Sequence, residues 1–148
     1  MWSLNLSAPR LVKDISGDFI IETKIFNGSR GKKSGGLLLW KDEDNFIRFE
    51  MPSNIFTLEG TVYFGAKKAG RFIHPGTHPF DAEPAWLRLE RNGDRFTGYV
   101  SSDGERWYRC GWADISMEDP IKAGIHALCP LAPVTSTRFE YLRIYGPA

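Results

Sequence analysis

The stretch "WLRLERNGDRFTGYVSSDGERW", residues 86–107, places two turn signals between segments in which apolar and polar residues alternate. Asn92-Gly93 is typical of a two-residue hairpin turn, because both central positions of a type I′ turn need positive φ. Asp103-Gly104 marks a second turn further along the chain. Alternation with a period of two is the pattern of a half-buried strand. The stretch therefore predicts a meander of three antiparallel strands.

Counting outward from the first turn gives the register of this meander. Leu89 then lies opposite Phe96 and Trp86 opposite Tyr99, while the second turn brings Tyr108 opposite Tyr99. Since successive side chains point to opposite faces of a sheet, one face is apolar and the other carries aromatic and polar groups. The residues predicted to face the core are Leu87, Leu89, Phe96, Val100 and Trp107.

The carboxylates of the meander fall in or beside its turns. At such positions Asp94, Asp103 and Glu105 can accept hydrogen bonds from nearby backbone N–H groups. General acid–base catalysis instead needs carboxyl groups that converge on one cleft. We interpret this acidic cluster as structural.

The rest of the chain repeats the strand pattern, and no stretch longer than about ten residues keeps a helical period. "GLLLWK" and "NFIRFEM" flank "DED" as a second hairpin. Residues 74–85, "HPGTHPFDAEPA", hold three prolines that each remove a backbone donor, so they predict a loop over the sandwich edge. Ten or more strands in 148 residues predict an all-β sandwich of two sheets, with residues 1–148 forming a single domain.

Charge and hydropathy narrow the classes of partner. Nineteen basic residues against eighteen acidic ones give a net charge of +1, with both signs scattered along the chain. No broad field therefore favours nucleic acid or an anionic membrane. No apolar run approaches the roughly 18 residues that a membrane span needs. The sequence leaves the cellular compartment open.

The two cysteines, Cys110 and Cys129, are too few for a disulfide framework. A turn near Met117 would pair position 110 with about position 125, which leaves Cys129 out of register. A bridge requires Cα atoms within about 7 Å. We predict that the two cysteines are not bonded to each other.

Three segments carry a resemblance to known domains: "GLLLWKDEDNFIRFE", the meander, and the closing "TRFEYLRIYG". They are similar to concanavalin A-like jelly-roll domains, above all the β-sandwich appended to family 43 glycosidases (β-xylosidase C-terminal type) and the DUF1349 domains. The resemblance covers roughly Pro9 to Gly146. It implies a jelly-roll fold and a role that is accessory to carbohydrate enzymes or carbohydrate-associated, but a shared fold does not transfer a site.

The outward face of the meander is the predicted ligand site. Flat aromatic rings suit the apolar faces of sugars, and Arg or Glu can fix hydroxyl groups. Trp86 and Tyr99 would be stacking platforms, with Arg88 as the polar clamp. Coverage of this face by another loop or a partner domain is the alternative. The candidate residues are Trp86, Arg88, Thr97, Tyr99 and Tyr108, joined by Arg48 and Glu50 if the second hairpin lies in the same sheet.

Two patterns in the sequence offer candidate metal ligands. Residues 41–45, "KDEDN", offer oxygen ligands, and related sandwiches often carry calcium. Calcium needs about six or seven oxygens, so a structural calcium ion and an ion-free turn both stay open. His74 and His78 have the spacing of a zinc-binding helix, with Asp81 nearby, but the prolines prevent that helix. No other cofactor is expected.

Catalytic patterns are missing from the sequence. It contains neither the E-x-D-x-E run of glucanases that share this sandwich nor a G-x-S-x-G motif. We therefore predict a noncatalytic module that binds carbohydrate or assists a glycosidase. One alternative is an interaction domain that docks against a catalytic domain of the same parent protein. The other is a hydrolase with an unrecognised pair of carboxylates.

Overall fold

The computed structural model describes residues 10–26, 34–51, 61–80, 82–128 and 138–146. These residues form eleven strands and no helix, which confirms the all-β prediction. The strands are β1 (Arg10–Ile15), β2 (Phe19–Phe26), β3 (Ser34–Asp42), β4 (Asn45–Met51), β5 (Thr61–Lys68), β6 (Arg71–Pro79), β7 (Ala85–Asn92), β8 (Arg95–Ser101), β9 (Tyr108–Asp114), β10 (Ile121–Leu128) and β11 (Arg138–Tyr145).

The strands form two antiparallel sheets that pack face to face. The six-stranded sheet has the order β1-β10-β3-β4-β5-β6, and the five-stranded sheet has the order β11-β2-β7-β8-β9. Alternate side chains of both sheets fill one shared core, because each strand has an apolar side. Leu39 and Phe49 of one sheet and Ile21, Leu89 and Phe96 of the other are completely buried there.

The first hairpin of the meander forms, with a turn one residue further along than predicted. Its central residues are Gly93 and Asp94. Gly93 has a φ of +62°, which a type II′ turn requires at its first central position. Arg88, rather than Trp86, therefore lies opposite Tyr99. The partner of each residue differs from the predicted one by two positions. Because side chains alternate between faces with a period of two, each side chain keeps its predicted face. Leu87, Leu89, Phe96 and Val100 are buried as predicted.

The first half of the segment predicted as a proline-rich loop, residues 74–79, is part of a strand. Arg71–Pro79 forms β6 at the edge of the six-stranded sheet. An edge strand tolerates proline, because one side of its backbone has no strand to bond. The pairing of β5 with β6 also shifts between Phe64 and Ala66, which leaves an irregularity beside Pro75. Edge position and irregularity together explain why the prolines did not prevent pairing.

Edge strands β6 and β9 approach each other closely and close one side of the sandwich. A Cβ atom on Gly76 would collide with the carbonyl oxygen of Cys110, and one on Gly111 would lie 3.1 Å from the carbonyl oxygen of Pro75. The two glycines thus permit a contact between backbones that larger residues would block.

The predicted pairing of position 110 with about position 125 does not form, because β9 and β10 lie in different sheets. Cys110 is a free cysteine. Burial raises the pKa of its thiol to about 11. Cys129 lies outside the described residues.

Candidate functional site

The outer face of the five-stranded sheet carries a continuous row of polar side chains. Pairing across the strands aligns, in order, Arg143, Glu22, Arg88, Tyr99 and Arg109. We call these five residues the arginine row. Its members come from all five strands, so the sheet itself fixes their spacing.

Glu22 and Arg88 form the centre of the arginine row. The Nε and Nη2 atoms of Arg88 donate to Oε1 of Glu22 over 3.1 and 2.7 Å. Tyr141 donates its hydroxyl to Oε2 of Glu22 over 3.0 Å, and Tyr145 donates to Oε1 over 3.4 Å. The Glu22 side chain is 8% exposed and that of Arg88 is 22% exposed. Within the described part of the chain, Nη1 of Arg88 donates no hydrogen bond.

The phenols around this pair are held in their protonated form. Burial and the hydrogen bond to Glu22 raise the pKa of Tyr141 to about 12. Burial is also the largest cause that raises the pKa of Tyr145 and of Tyr99, with Glu90 adding to the effect on Tyr99. All three hydroxyl groups are therefore hydrogen-bond donors at neutral pH.

Several aromatic rings of this face already have a cation over them, at distances typical of cation–π contacts. Trp86 is further enclosed by the second turn of the meander, since a Cβ on Gly104 would lie 2.9 Å from its Nε1. Trp86 is thus a poor stacking platform. The pairs, with the distance from the cation to the ring centroid, are Lys24 with Trp86 at 4.9 Å, Arg88 with Trp107 at 4.0 Å, Arg95 with Trp112 at 4.1 Å and Arg143 with Tyr141 at 4.3 Å.

Trp107 was predicted to face the core, and this prediction was wrong. The ring is only partly buried and lies against the guanidinium of Arg88. The pairing of β8 with β9 shifts between Gly98 and Tyr99, and β9 begins only at residue 108. Trp107 therefore precedes the paired strand, and its side chain does not have to follow the alternation of inward and outward side chains in that strand.

The structure brings together four of the seven predicted site residues. Trp86, Arg88, Thr97 and Tyr99 share the outer face of the five-stranded sheet. Tyr108 does not extend the row, because it pairs with Val100, whose side chain enters the core. It is 59% exposed at the sheet edge. Arg109 takes the position opposite Tyr99 that was predicted for Tyr108.

Arg48 and Glu50 do not join these residues. They belong to β4, which lies in the other sheet. The hairpin that contains them pairs with β5 and β10 rather than with the meander. Glu50 instead lies in a second row across the outer face of the six-stranded sheet, which we call the glutamate row: Arg10, His126, Gly36, Glu50, Tyr63 and Thr77.

The glutamate row contains a buried charge. Glu50 is completely buried and accepts hydrogen bonds from Nη2 and Nε of Arg48 over 2.7 and 3.4 Å. Burial raises the pKa of Glu50, although Arg48 opposes the shift. Nε2 of His126 lies 2.7 Å from Oε2 of Glu50 but makes no hydrogen bond within the described part of the chain. Burial, with Arg48 and Arg10, lowers the pKa of His126 to about 3.

His126 and Tyr63 were missed by the sequence analysis, although alternation along "IKAGIHAL" already places Lys122, Gly124 and His126 on one side of β10. The hydroxyl of Tyr63 and Nδ1 of His74 lie 2.7 Å apart. His126 and Tyr63 thus both contact other polar side chains on this face. The sequence analysis did not find these contacts, because they depend on which strands pair with one another.

Asp103 has the structural role that was predicted for it in the second turn of the meander. Oδ1 of Asp103 accepts hydrogen bonds from the backbone N–H of Glu105 and of Arg106, over 2.8 and 2.9 Å. These bonds lower the pKa of Asp103. Asp103 therefore shapes the turn that encloses Trp86.

The structure gives no support for a metal centre among the residues it describes, where no three His, Cys, Asp or Glu side chains are grouped as ligands. In the turn after β3, Oδ1 of Asp42 accepts from the backbone N–H of Asp44 and the amide of Asn45, over 2.9 and 3.1 Å. His74 and His78 lie on β6, and Asp81 is outside the described residues.

The strand order and shared core define a concanavalin A-like jelly-roll sandwich. The family model described as "Protein of unknown function (DUF1349)" matches residues 3–147. The chain therefore belongs to the DUF1349 family. None of the curated protein sequences compared with the chain matches it significantly.

Solved structures share this fold at low sequence identity. The GH43 protein BlXynB of Bacillus licheniformis superposes with a TM-score of 0.82 and 14% identity, over 94% of this chain and 30% of that one. A functionally unknown protein from Saccharomyces cerevisiae gives 0.80 and 15%, over 93% and 74%. The carbohydrate binding module CBM66 from Bacillus subtilis gives 0.61 and 17%, over 88% and 76%. The chain thus spans under a third of the BlXynB chain.

No helix among the described residues is long and apolar enough to cross a membrane.

Proposed function

We propose that this chain is a noncatalytic module that binds carbohydrate on the outer face of its five-stranded sheet and assists a glycoside hydrolase. The observation that carries the proposal is the centre of the arginine row. Arg88 is held by Glu22 through Nε and Nη2, and its Nη1 has no partner among the described residues. A guanidinium fixed in this way offers a preoriented donor to a sugar hydroxyl.

The neighbours of Arg88 supply the other groups that a sugar needs. Tyr99 lies opposite Arg88 and is partly exposed, and Tyr145 is 40% exposed. Their rings can pack on the apolar face of a sugar, and their hydroxyl oxygens can accept hydrogen bonds from its hydroxyl groups. Thr97 adds a small polar group in the adjacent row. The fold likeness to CBM66 and to GH43 proteins supports carbohydrate as the ligand class.

The arrangement favours binding over hydrolysis. Both oxygens of Glu22 already accept hydrogen bonds, from Arg88, Tyr141 and Tyr145. Glycoside hydrolysis needs a carboxylic acid that can protonate the leaving group and a second carboxylate across the bond. Glu50 has a raised pKa, but it is completely buried on the opposite sheet. It cannot reach a sugar bound at the arginine row.

A docking domain is the second candidate function. Tyr108 and Trp112 on edge strand β9 are 59% and 47% exposed. Large aromatic side chains at a surface often mark a contact with another protein. Docking against a catalytic domain of the same parent protein would bury them.

A screen of neutral oligosaccharides followed by calorimetry tests the proposal. We expect Arg88→Gln and Tyr99→Ala to weaken binding at least tenfold, while Lys122→Gln, on the six-stranded sheet, leaves affinity unchanged. Unchanged affinity in both site variants would place the site elsewhere. If the folded chain binds no glycan but associates with a glycosidase domain through Tyr108 and Trp112, the docking function replaces the binding function.

A further inference from the structure

We infer that the cleft between β6 and β9 binds the carboxylate of an acidic sugar, a hexuronate. This inference rests on the proposed function, from which it takes a saccharide as the ligand. The cleft lies beside the end of the arginine row and has a volume of about 410 Å³, within the range of small-ligand sites. One or two sugar rings fit such a volume. Its lining residues are Pro75, His78, Arg109, Cys110, Gly111 and Trp112.

Backbone irregularities shape this cleft. The pairing of β8 with β9 shifts beside Gly98 and Tyr99, and the pairing of β5 with β6 shifts beside Pro75. Bulges redirect side chains at sheet edges. The close approach of β6 and β9 at Gly76 and Gly111 holds the two walls together. The cleft is therefore built into the rigid frame of the sandwich.

The charge of the cleft favours an anion. The Arg109 side chain is exposed, and no carboxylate of the described residues lies within 4.0 Å of its guanidinium. Asp114, the acidic residue at the far end of β9, is bound to Arg95 by hydrogen bonds of 2.9 and 3.0 Å. None of the lining residues is acidic. A guanidinium without a counter-ion binds a carboxylate well, because two N–H groups match its two oxygens.

Trp112 favours a sugar as the molecule that contains this carboxylate. The ring is 47% exposed and borders the cleft. Arg95 lies 4.1 Å from its centroid and covers one side of the indole, which fixes the ring. The remaining surface of the indole suits the C–H face of a pyranose. His78 and the backbone of the bulge add polar groups for hydroxyls.

The test follows the indole N–H resonance of Trp112 by NMR, with Trp112→Phe used to assign it. Glucuronate, glucose and acetate are titrated separately into the folded chain. We expect a saturable shift with glucuronate, an affinity at least tenfold lower with glucose, and no specific shift with acetate. Arg109→Gln should weaken glucuronate binding at least tenfold. Arg106→Gln, which changes an exposed arginine on the turn, should not.

Each result decides between the two proposals. Equal binding of glucose and glucuronate, or an unchanged affinity in Arg109→Gln, overturns the carboxylate site. If acetate binds as tightly as glucuronate, the cleft does not recognise a sugar ring, which overturns the choice of a saccharide as the ligand. If glucuronate gives no saturable shift while neutral glycans still bind through Arg88, the inference alone fails. If glucuronate saturates the Trp112 signal while no glycan depends on Arg88, the inference stands and the function proposed for the arginine row fails.

Discussion

Each outer face of the sandwich is centred on a glutamate–arginine pair with a shortest contact of 2.7 Å. The side chains of Glu50 and Arg48 are 1% and 11% exposed, whereas those of Glu22 and Arg88 are 8% and 22% exposed. The pair on the glutamate row has neutral His126 beside it, while the arginine row continues in further cations. The same two residue types thus serve a buried structural pair on one sheet and an accessible, proposed ligand site on the other.

The largest expected difference between the faces concerns stability. Arg48→Gln leaves the completely buried carboxylate of Glu50 without the guanidinium that donates to it, and breaking a buried pair in this way costs about 3–5 kcal/mol. Arg88→Gln leaves Glu22 with its two phenol hydrogen bonds, so we expect a loss of about 1–2 kcal/mol. Urea unfolding at pH 7 measures both variants. Equal losses would show that the two pairs play the same role.

The second difference concerns pH. Burial lowers the pKa of His126 from 6.5 to about 3, so between these values the unfolded chain binds a proton that the folded chain does not. The stability due to neutral His126 is therefore present above pH 6.5 and is lost as pH falls toward 3. Glu50 acts oppositely, because its pKa is raised: its contribution is present below 4.5 and is lost as pH rises.

His126→Gln separates the two effects, since it retains Glu50. We expect the urea midpoint of the unchanged chain to fall more between pH 7 and pH 5 than that of His126→Gln. His74 and His78 are the same in both chains and cancel in the comparison. Parallel decreases in the two midpoints would mean that His126 does not titrate with unfolding.

The smallest expected difference between the faces is in the pKa of one tyrosine on each face. The pKa values of Tyr141 and Tyr63 are both about 12, with burial as the largest cause. Tyr141 also donates to Glu22, whereas Glu50 raises the pKa of Tyr63 through its charge. Glu22→Gln should therefore lower the pKa of Tyr141 toward 10, and more than Glu50→Gln lowers that of Tyr63. NMR of the ring carbons between pH 9 and pH 12 measures both shifts, and an unmoved Tyr141 would contradict the assigned hydrogen bond.

Local alternation was sufficient to predict most of the fold. It gave the faces of β2, β7 and β8, because a period of two depends only on parity and survives a register shift of two residues. It failed for Trp107, which lies before the paired part of β9, and for β6, where an edge position tolerates the prolines. Turn type and edge position depend on neighbouring strands, which a local pattern does not contain.

The candidate site was predictable only in part for the same reason. Arg88, Thr97 and Tyr99 follow from one hairpin, so counting within 86–107 was enough to place them on one face. Glu22 and Arg143 reach the arginine row through pairing of β2 and β11 with strands distant in sequence. Placing Arg48 and Glu50 beside them was wrong, since nothing local assigns β4 to a sheet.

The approach of β6 to β9 at Gly76 and Gly111 has a consequence for self-association. Edge strands expose backbone groups that can recruit strands of other molecules, which leads to aggregation. Here edge strands β6 and β9 lie against each other, and β6 contains Pro75. The pairing of each with its neighbouring strand is also irregular. A foreign strand therefore meets few consecutive N–H and C=O groups to pair with. The glycines that shape the cleft also protect the molecule from edge-to-edge polymerisation.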